Sequence, residues 1–249
     1  MIAKQVDKAY SKFIILANAR TGSWHLCSLL SSHSKIVCFG EVFHPFSAEF
    51  DYDGYKPTRY NKKLRDIDPI RFLKTKIFKD FSRNIKSVGF KLIYYQLDIS
   101  KFNRLKKYIV SDKEIRIIHL RRRNYLEQFY SLKLAQLTDV WRITGTEKHL
   151  TKPLHISRSE CLMSFEEFEN TEAYISDYFR HHKMIDVFYE DLVQNQDETI
   201  SSILGFLGLP LEKLQSKYLK QNRYPLKILN YDELKSYFSN TKWSKLFVC

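Results

Sequence analysis

The apolar positions of the chain fall into short continuous runs that alternate with helically spaced stripes. The first run, residues 13–17, has the length and unbroken apolar character of a strand buried on both faces. Leu26, Leu29 and Leu30 follow it with the i, i+3, i+4 spacing of one face of a helix. The pattern therefore predicts a strand, a short turn and a helix at the start of the chain.

The same alternation continues along most of the chain. Further strands are predicted over 35–39, 87–95, 116–120 and 184–189, and helices over 71–85, 99–109, 124–140 and 166–182. Residues 46–70 are predicted to form an irregular excursion or lid, residues 143–163 a loop, and residues 200–207 an apolar helical stripe that stops at Gly208 and Pro210. Such alternation predicts an α/β fold, a parallel sheet with helices on both faces. Ligands of such sheets bind beyond the carboxyl ends of the strands.

Arg20, Thr21, Gly22 and Ser23 fill the turn between the first predicted strand and its helix. Unpaired backbone N–H groups and the helix dipole make such a turn an anion site, and Gly22 tolerates a positive φ. The Arg20 guanidinium and the Ser23 hydroxyl would complete a cradle for a phosphate or sulfate. An ordinary connection with a solvated arginine is the alternative that this stretch leaves open. The stretch lacks the second Gly and the Lys of a Walker A loop and the three Gly of a dinucleotide fingerprint.

The charge balance points to an anionic partner. Lys and Arg number 41 against 28 Asp and Glu, which gives a net charge of +13 over 249 residues. The densest cluster, residues 121–123, follows the fourth predicted strand and makes a second basic strand–turn–helix unit. Nucleic acid, an anionic membrane surface or a multiply phosphorylated small molecule would suit this charge, and a merely solubilising surface is the alternative.

The cysteines and the absence of apolar segments bear on location. Cys27, Cys38, Cys161 and Cys249 have no CxxC spacing, which favours free thiols over a zinc site or a disulfide framework. The first residues lack the apolar core of a signal peptide, and no stretch approaches 18 apolar residues. We therefore expect a soluble, cytoplasmic protein.

Several stretches of the chain resemble motifs of sulfotransferases. Arg20-Thr-Gly-Ser23 resembles the R-[ST]-G-[ST] form of the 5′-phosphosulfate loop of carbohydrate and bacterial glycolipid enzymes. Leu120-Arg-Arg-Arg-Asn-Tyr-Leu-Glu-Gln-Phe-Tyr-Ser131 is similar to the 3′-phosphate segment, in which an Arg precedes a Ser by eight positions, as Arg123 precedes Ser131. Tyr189-Glu-Asp-Leu-Val193, the segment ending at Pro210, Gly89-Phe-Lys-Leu92 and Asn230-Tyr-Asp-Glu-Leu234 look like further signatures. The details resemble bacterial trehalose-type and lipopolysaccharide sulfotransferases.

The resemblance implies a fold and a reaction. The fold would be the three-layer α/β/α, P-loop-NTPase-like sulfotransferase fold, as a single domain over 1–249 with variable acceptor-site or lid insertions at 46–86 and 140–163. The reaction would move the sulfuryl group of 3′-phosphoadenosine 5′-phosphosulfate (PAPS) to a hydroxyl of a carbohydrate or glycolipid by in-line displacement. No metal is implied.

The resemblance also implies roles for individual residues. The implied donor-binding residues are Arg20, Thr21, Gly22, Ser23, Trp24, His25, Arg123, Ser131 and Tyr189, with Arg123 and Ser131 around the 3′-phosphate and Tyr189 near the adenine. Arg20 would also neutralise charge on the leaving group. Glu41, after the second strand, would be the base and His44 the runner-up, and a salt bridge is the alternative role for Glu41. Trp24 and His25 depart from the family pattern, which has a second hydroxyl and then a Trp, and core packing is equally open for Trp24.

Two other classes stay open at this point. A nucleotide or nucleoside kinase-like P-loop enzyme is disfavoured by the missing Walker A lysine. A basic nucleic-acid-binding protein is disfavoured because no known module is present and because the basic turns lie in strand–helix corners. We therefore expect no nucleic-acid partner, whereas the charge still suits peripheral contact with an anionic membrane.

Overall fold

Five parallel strands form one sheet at the centre of the computed structural model, which describes residues 10–46, 58–142, 152–218 and 226–247. The strands are β1 (Ser11–Ala17), β2 (Ile36–Phe39), β3 (Ser87–Ile93), β4 (Ile115–Arg121) and β5 (Met184–Phe188). Their order across the sheet is β2-β3-β1-β4-β5, and every neighbouring pair is parallel. The prediction of an α/β fold with a parallel sheet is confirmed, and all five strands lie where the apolar runs placed them.

Helices connect the strands. They are α1 (Ser23–Ser31), α2 (Arg59–Ile67), α3 (Pro69–Phe72), α4 (Asn103–Ser111), α5 (Tyr125–Thr138), α6 (Arg158–Tyr178), α7 (Tyr189–Gln194), α8 (Gln196–Leu207) and α9 (Tyr231–Phe238). A π-helical turn, Leu73–Ile77, extends α3, and 3₁₀ turns span Tyr94–Asp98, Ser100–Phe102 and Ser244–Phe247. In the described part of the chain no helix combines the length and the apolar character needed to cross a bilayer.

The sheet is buried on both faces, as its continuous apolar strands require. Ile14 and Leu16 of β1 belong to one core cluster, and Phe13 and Ile15 belong to the cluster on the opposite face. A third cluster joins α5, α6, α9 and the last described residues. Because each fully buried side chain of this size contributes about 1.5–3 kcal/mol, the two sheet faces supply most of the hydrophobic stabilisation.

Two predictions for residues 46–85 were wrong, the single helix over 71–85 and the irregular excursion over 46–70. Residues 71–85 do not form one helix, because Asp68 caps a new helix that starts at Pro69 and the helical backbone ends at Ile77. The stretch 46–70 is helical from Arg59, where Thr58 is the N-cap, and residues 47–57 of that predicted lid lie outside the described residues.

The predicted loop over 143–163 also needs correction. Residues 143–151 lie outside the described residues, and α6 begins at Arg158, well before the predicted start at 166. Ser157 and Glu160 form a capping box, in which each side chain accepts from the other residue's backbone N–H, so the helix starts there.

The strand order brings the two basic turns together. β1 and β4 are neighbours, so the turns that leave their carboxyl ends lie side by side. The buried Gln128 of α5 donates to the Ala19 carbonyl at 2.9 Å and connects the two turns.

Cys27 and Cys38 are buried thiols with sulfur atoms 3.5 Å apart. Cys161 is also a buried thiol, and Cys249 lies outside the described residues.

Candidate active site

The turn after β1 presents the start of α1 without a side-chain cap. Arg20 and Gly22 both have positive φ, 65° and 80°, which reverses the chain sharply between strand and helix. No side chain caps the helix and its first turn holds no acidic residue, so its N–H groups and its dipole are available to an anion. The buried Thr21 uses its hydroxyl inside the turn, donating to the Asn18 carbonyl at 2.9 Å. Ser23 is the first helical residue and is buried.

Gly22 is required by space as well as by backbone conformation. A Cβ at this position would lie 2.5 Å from Cδ2 of Tyr189, closer than any side chain tolerates. The ring of Tyr189, the first residue of α7, therefore packs directly on the turn. This contact joins the end of β5 to the end of β1. The placement of Tyr189 near the adenine stays a prediction.

Arg20 places a half-buried charge at this turn. Its Nε donates to Ser131 Oγ at 3.0 Å, although the two residues are 111 positions apart, and its Nη1 donates to the Trp141 carbonyl at 2.6 Å. Within the described residues no carboxylate lies at ion-pair distance from Arg20. The pKa of the Arg20 guanidinium is lowered to about 10, chiefly by burial and then by the charge of Arg122, while Tyr189 opposes the shift. A desolvated cation without an internal carboxylate can gain strongly from an added anion.

Arg122 reinforces the positive charge of the turn. It is buried, its Nη1 donates to the Arg20 carbonyl at 3.2 Å, and its guanidinium lies 4.6 Å from the centroid of the Tyr189 ring. Glu127 accepts from Arg122 Nη2 at 2.6 Å and holds the side chain in place. From the sequence no role was assigned to Arg122, although this residue lies within the basic cluster at 121–123.

Arg123 points elsewhere in this structure. Its guanidinium makes a bidentate pair with Asp191, at 2.6 and 2.7 Å, and lies 4.0 Å from the centroid of the Phe188 ring. Ser131 is joined to Arg20 instead. The placement of Arg123 and Ser131 around one phosphate therefore stays a prediction, and it requires Arg123 to leave Asp191.

Glu41 lies at the carboxyl edge of the sheet in a buried ion pair. Its Oε1 is 2.7 Å from Nζ of Lys91 in β3, and its Oε2 accepts from the Gln96 amide at 2.8 Å. The Lys91 side chain is only 2% exposed and that of Glu41 12%. Burial raises the pKa of Glu41, but the charge and hydrogen bond of Lys91, the nearby His44 and the Gln96 amide together outweigh burial and lower it. The carboxylate is therefore held ionised.

Trp24 connects this ion pair to the turn after β1. Its ring lies 4.1 Å from Lys91 Nζ and 4.3 Å from the Arg142 guanidinium, measured to the ring centroid, and tilts against Tyr218. Two cations on one indole favour a position in the site over simple core packing. His25 is buried next to it and faces the other way, with Nδ1 3.0 Å from Ser216 Oγ.

His44 lies at the end of the turn that follows Glu41. Its carbonyl accepts from Arg65 of α2 at 2.7 Å, and its ring makes edge contacts with Phe46 and with the exposed Tyr95. The contacts of His44 are thus divided between the buried Arg65 and the exposed Tyr95, whereas Glu41 contacts Lys91 and Gln96.

The structure divides the predicted residues into two connected groups. Arg20, Gly22, Ser131 and Tyr189 meet around the first turn, and Glu41 and Trp24 meet through Lys91. Lys91 and Gln96 were missed as site residues. A lysine inside the otherwise apolar β3 was the available signal for Lys91, because a charge buried in a central strand needs a nearby partner.

The fold is an α/β fold with cationic side chains at the carboxyl edge of its sheet, and comparison with known proteins gives the class of the protein. Residues 91–225 match the sequence model of the family described as Stf0 sulphotransferase. Nodulation protein H from Rhizobium tropici is 24% identical over 242 residues, covering 94% of this chain and 92% of that protein. Nodulation protein H from Rhizobium meliloti is also 24% identical, covering 94% of each chain.

The solved structures agree with this assignment at the level of the fold. The crystal structure of a sulfotransferase from Alicyclobacillus acidocaldarius superposes with a TM-score of 0.50, at 16% identity, over 91% of this chain and 90% of that one. The chain belongs to the Stf0 sulphotransferase family. It is a sulfotransferase with the P-loop-like fold of that class.

Proposed function

We propose that this enzyme transfers the sulfuryl group of PAPS to a hydroxyl of a carbohydrate or glycolipid acceptor. The observation that carries the proposal is the placement of Arg20, a half-buried guanidinium at an uncapped helix start, beside a second arginine and with no carboxylate partner in the described part of the chain. The choice of acceptor class rests on the resemblance of the turn to that of carbohydrate and glycolipid enzymes.

The turn after β1 fits the 5′-phosphosulfate. The first-turn N–H groups of α1, the Arg20 guanidinium and the Ser23 hydroxyl are donors that match such an anion, and the backbone of Thr21, Gly22 and Trp24 belongs to the same turn. PAPS would supply the activated sulfuryl group. Arg20 would stabilise the charge on the leaving phosphate, which is the main demand that an in-line transfer makes on a protein. His25 would support the loop from its buried position.

Arg123, Ser131 and Tyr189 would hold the rest of the donor. The pair between Arg123 and Asp191 is exposed, with side-chain exposures of 50% and 41%, so breaking it costs at most about 1 kcal/mol. A charge-assisted contact to a phosphate contributes more, about 1.5–3 kcal/mol. The exchange of Asp191 for a 3′-phosphate is therefore favourable for Arg123. Tyr189, whose ring packs beside Gly22, would lie near the adenine.

Glu41 would be the general base and His44 the alternative. The lowered pKa of Glu41 keeps the carboxylate ionised at neutral pH, as a base requires, and Lys91 sets its proton affinity. We also propose that residues 1–249 form a single domain whose segments 46–86 and 140–163 supply the acceptor side. Two contacts support this: the Arg65 bond to His44 and the Arg20 bond to Trp141.

The donor proposal is tested by titration calorimetry with 3′,5′-adenosine bisphosphate in the absence of metal. Wild type should bind at tens of micromolar or below, and Arg20→Met should weaken binding roughly 10- to 100-fold because a charge-assisted contact is lost. Arg180→Met is the matched control, since Arg180 pairs with Asp177 before β5, at the opposite edge of the sheet. Absence of wild-type binding, or stabilisation by ATP with magnesium instead, would contradict the proposal.

The acceptor proposal is tested separately, by transfer of radiolabelled sulfuryl groups from PAPS. Oligosaccharides and glycolipids with free hydroxyls should be labelled and a simple phenol should not. Labelling of the phenol alone would reject the carbohydrate class and leave the donor assignment intact.

A further inference from the structure

Helix α2 packs Leu64 against the core but exposes two large apolar side chains and buries two polar ones. Its buried side chains are the polar Asn61 and Arg65, whereas Tyr60 and Ile67 face outward, 63% and 69% exposed. Positions 60 and 67 are two turns apart and so lie on the same face of the helix. An exposed apolar pair on a helix that buries polar groups indicates that this face has a partner outside the chain.

Cations surround this apolar pair. Residues 59–79 hold eight Lys and Arg and only two Asp, and α4 adds three cations with no acidic residue. The exposed cations of α2, α3 and the π-helical turn are Arg59, Lys62, Lys63, Arg71 and Lys74. Within the described residues none of these five has a carboxylate at ion-pair distance, so they give the surface an uncompensated positive charge.

Side-chain contacts make these elements one continuous surface, which we call the α2 surface. Lys76 Nζ lies 5.7 Å from the centroid of the Tyr60 ring and Lys74 Nζ 4.8 Å from that of Tyr108 in α4. Lys101, just before α4, pairs with Asp66 of α2 at 3.0 Å. The charges therefore act together on one partner.

We propose that the α2 surface docks the enzyme on anionic lipid headgroups, with Tyr60 and Ile67 entering the membrane interface. Basic side chains around exposed apolar and aromatic ones are the pattern of interfacial helices, in which the charges bind headgroups and the apolar face enters the acyl boundary. A nucleic acid would use the cations but would leave Ile67 in water, which is why lipid is the better match.

The α2 surface adjoins the proposed acceptor side. Arg65, on the buried face of α2, donates to the His44 carbonyl and so fixes the helix against the turn that carries Glu41. Docking here would bring that turn close to the bilayer. The inference itself does not depend on the sulfuryl-transfer proposal, because its test measures membrane binding without any substrate.

The experiment is co-sedimentation of the full chain with phosphatidylcholine vesicles that do or do not contain phosphatidylglycerol. Wild type should bind only the anionic vesicles, and less well as salt rises. The variant Lys62→Gln, Lys63→Gln, Arg71→Gln, Lys74→Gln should lose binding by several hundredfold, since each cation near an anionic surface contributes about fivefold. Ile67→Ser should weaken vesicle binding about tenfold relative to wild type, whereas Ile67→Phe, which keeps an apolar side chain, should bind like wild type.

The matched control removes four exposed lysines from other elements: Lys183→Gln, Lys213→Gln, Lys235→Gln and Lys245→Gln. It has the same net charge as the α2-surface variant and should bind vesicles almost as wild type does. Equal losses in the two variants would show a non-specific charge effect and overturn the proposal. Failure of wild type to bind anionic vesicles would also overturn the proposal. A third contrary result is full competition between a short DNA duplex and the vesicles, together with wild-type vesicle binding by Ile67→Ser.

Discussion

The buried pair of Glu41 and Lys91 allows a sharp test of the structure. The change Lys91→Met keeps the length and most of the volume of the side chain and removes its charge. It leaves the Glu41 carboxylate buried, with the Gln96 amide as its remaining hydrogen-bond partner among the contacts above. Removing one member of a buried pair usually costs about 3–5 kcal/mol, so we expect a loss of that size at neutral pH.

The loss should depend on pH in a defined direction. In the wild type the pKa of Glu41 is lower in the folded state than in the unfolded state, where it is near 4.3. The ionised carboxylate therefore stabilises the fold above that pH. This contribution is lost as the pH falls through the pKa of the folded state. Without Lys91, burial raises the pKa of Glu41, so the neutral acid is favoured. The variant should then be closest to wild type near pH 4, with a gap that widens by up to about 1.4 kcal/mol per unit as pH rises.

Urea unfolding followed by circular dichroism between pH 4 and 8 measures both effects. The double variant Glu41→Gln, Lys91→Met should recover much of the stability, because no buried charge is left, and it keeps the test open if Lys91→Met alone does not fold. Lys101→Met, which breaks the exposed pair with Asp66, is the control and should cost at most about 1 kcal/mol. A loss below 1 kcal/mol in Lys91→Met, unchanged across pH, would refute the view of a desolvated pair.

Three further predictions concern the proposed site. Glu41→Gln should bind the bisphosphate normally but lose a factor of about 10²–10⁴ in turnover, together with the acid limb of the pH–rate profile. His44→Ala should keep most of the rate. The reverse result would assign the base to the histidine. Arg123→Ala should weaken bisphosphate binding by about 1.5–3 kcal/mol and Ser131→Ala by about 1 kcal/mol in calorimetry, and equal losses for adenosine 5′-phosphosulfate would reject their 3′-phosphate role. Gly22→Ala should lower the free energy of unfolding by at least about 1–2 kcal/mol, because φ is +80° and the new Cβ meets a tyrosine ring; an unchanged urea midpoint would contradict this.

The strands could be predicted from the sequence because burial on both faces requires unbroken apolar runs. The start of α6 was missed although Ser157 and Glu160 carry a capping-box signal, because the preceding stretch has little apolar periodicity. The helix after Thr58 was missed for a related reason. Its buried residues are Asn61 and Arg65, so an apolar stripe does not mark it.

The site was predictable as a location and less so as a set of contacts. The basic turns after β1 and β4 follow from local sequence, but the contact of Arg20 with Ser131 depends on those strands being neighbours in the sheet. The same holds for Glu41 and Lys91, which come from the adjacent strands β2 and β3. Local pattern cannot supply such pairs, because long-range strand order decides them.

The contact between Arg20 and Ser131 also links a residue outside the family match to a residue inside it. The family match covers residues 91–225 and so includes Ser131, whereas Arg20 and Glu41 lie outside it. We assign Arg20 to the candidate site because its Nε donates a hydrogen bond to Ser131, which lies inside the matched segment. We assign Glu41 to it because its carboxylate pairs with Lys91, the first matched residue. Side-chain geometry therefore connects the two N-terminal residues with the matched segment. That is why variants at Arg20, Glu41 and Lys91 test this connection more directly than further sequence comparison would.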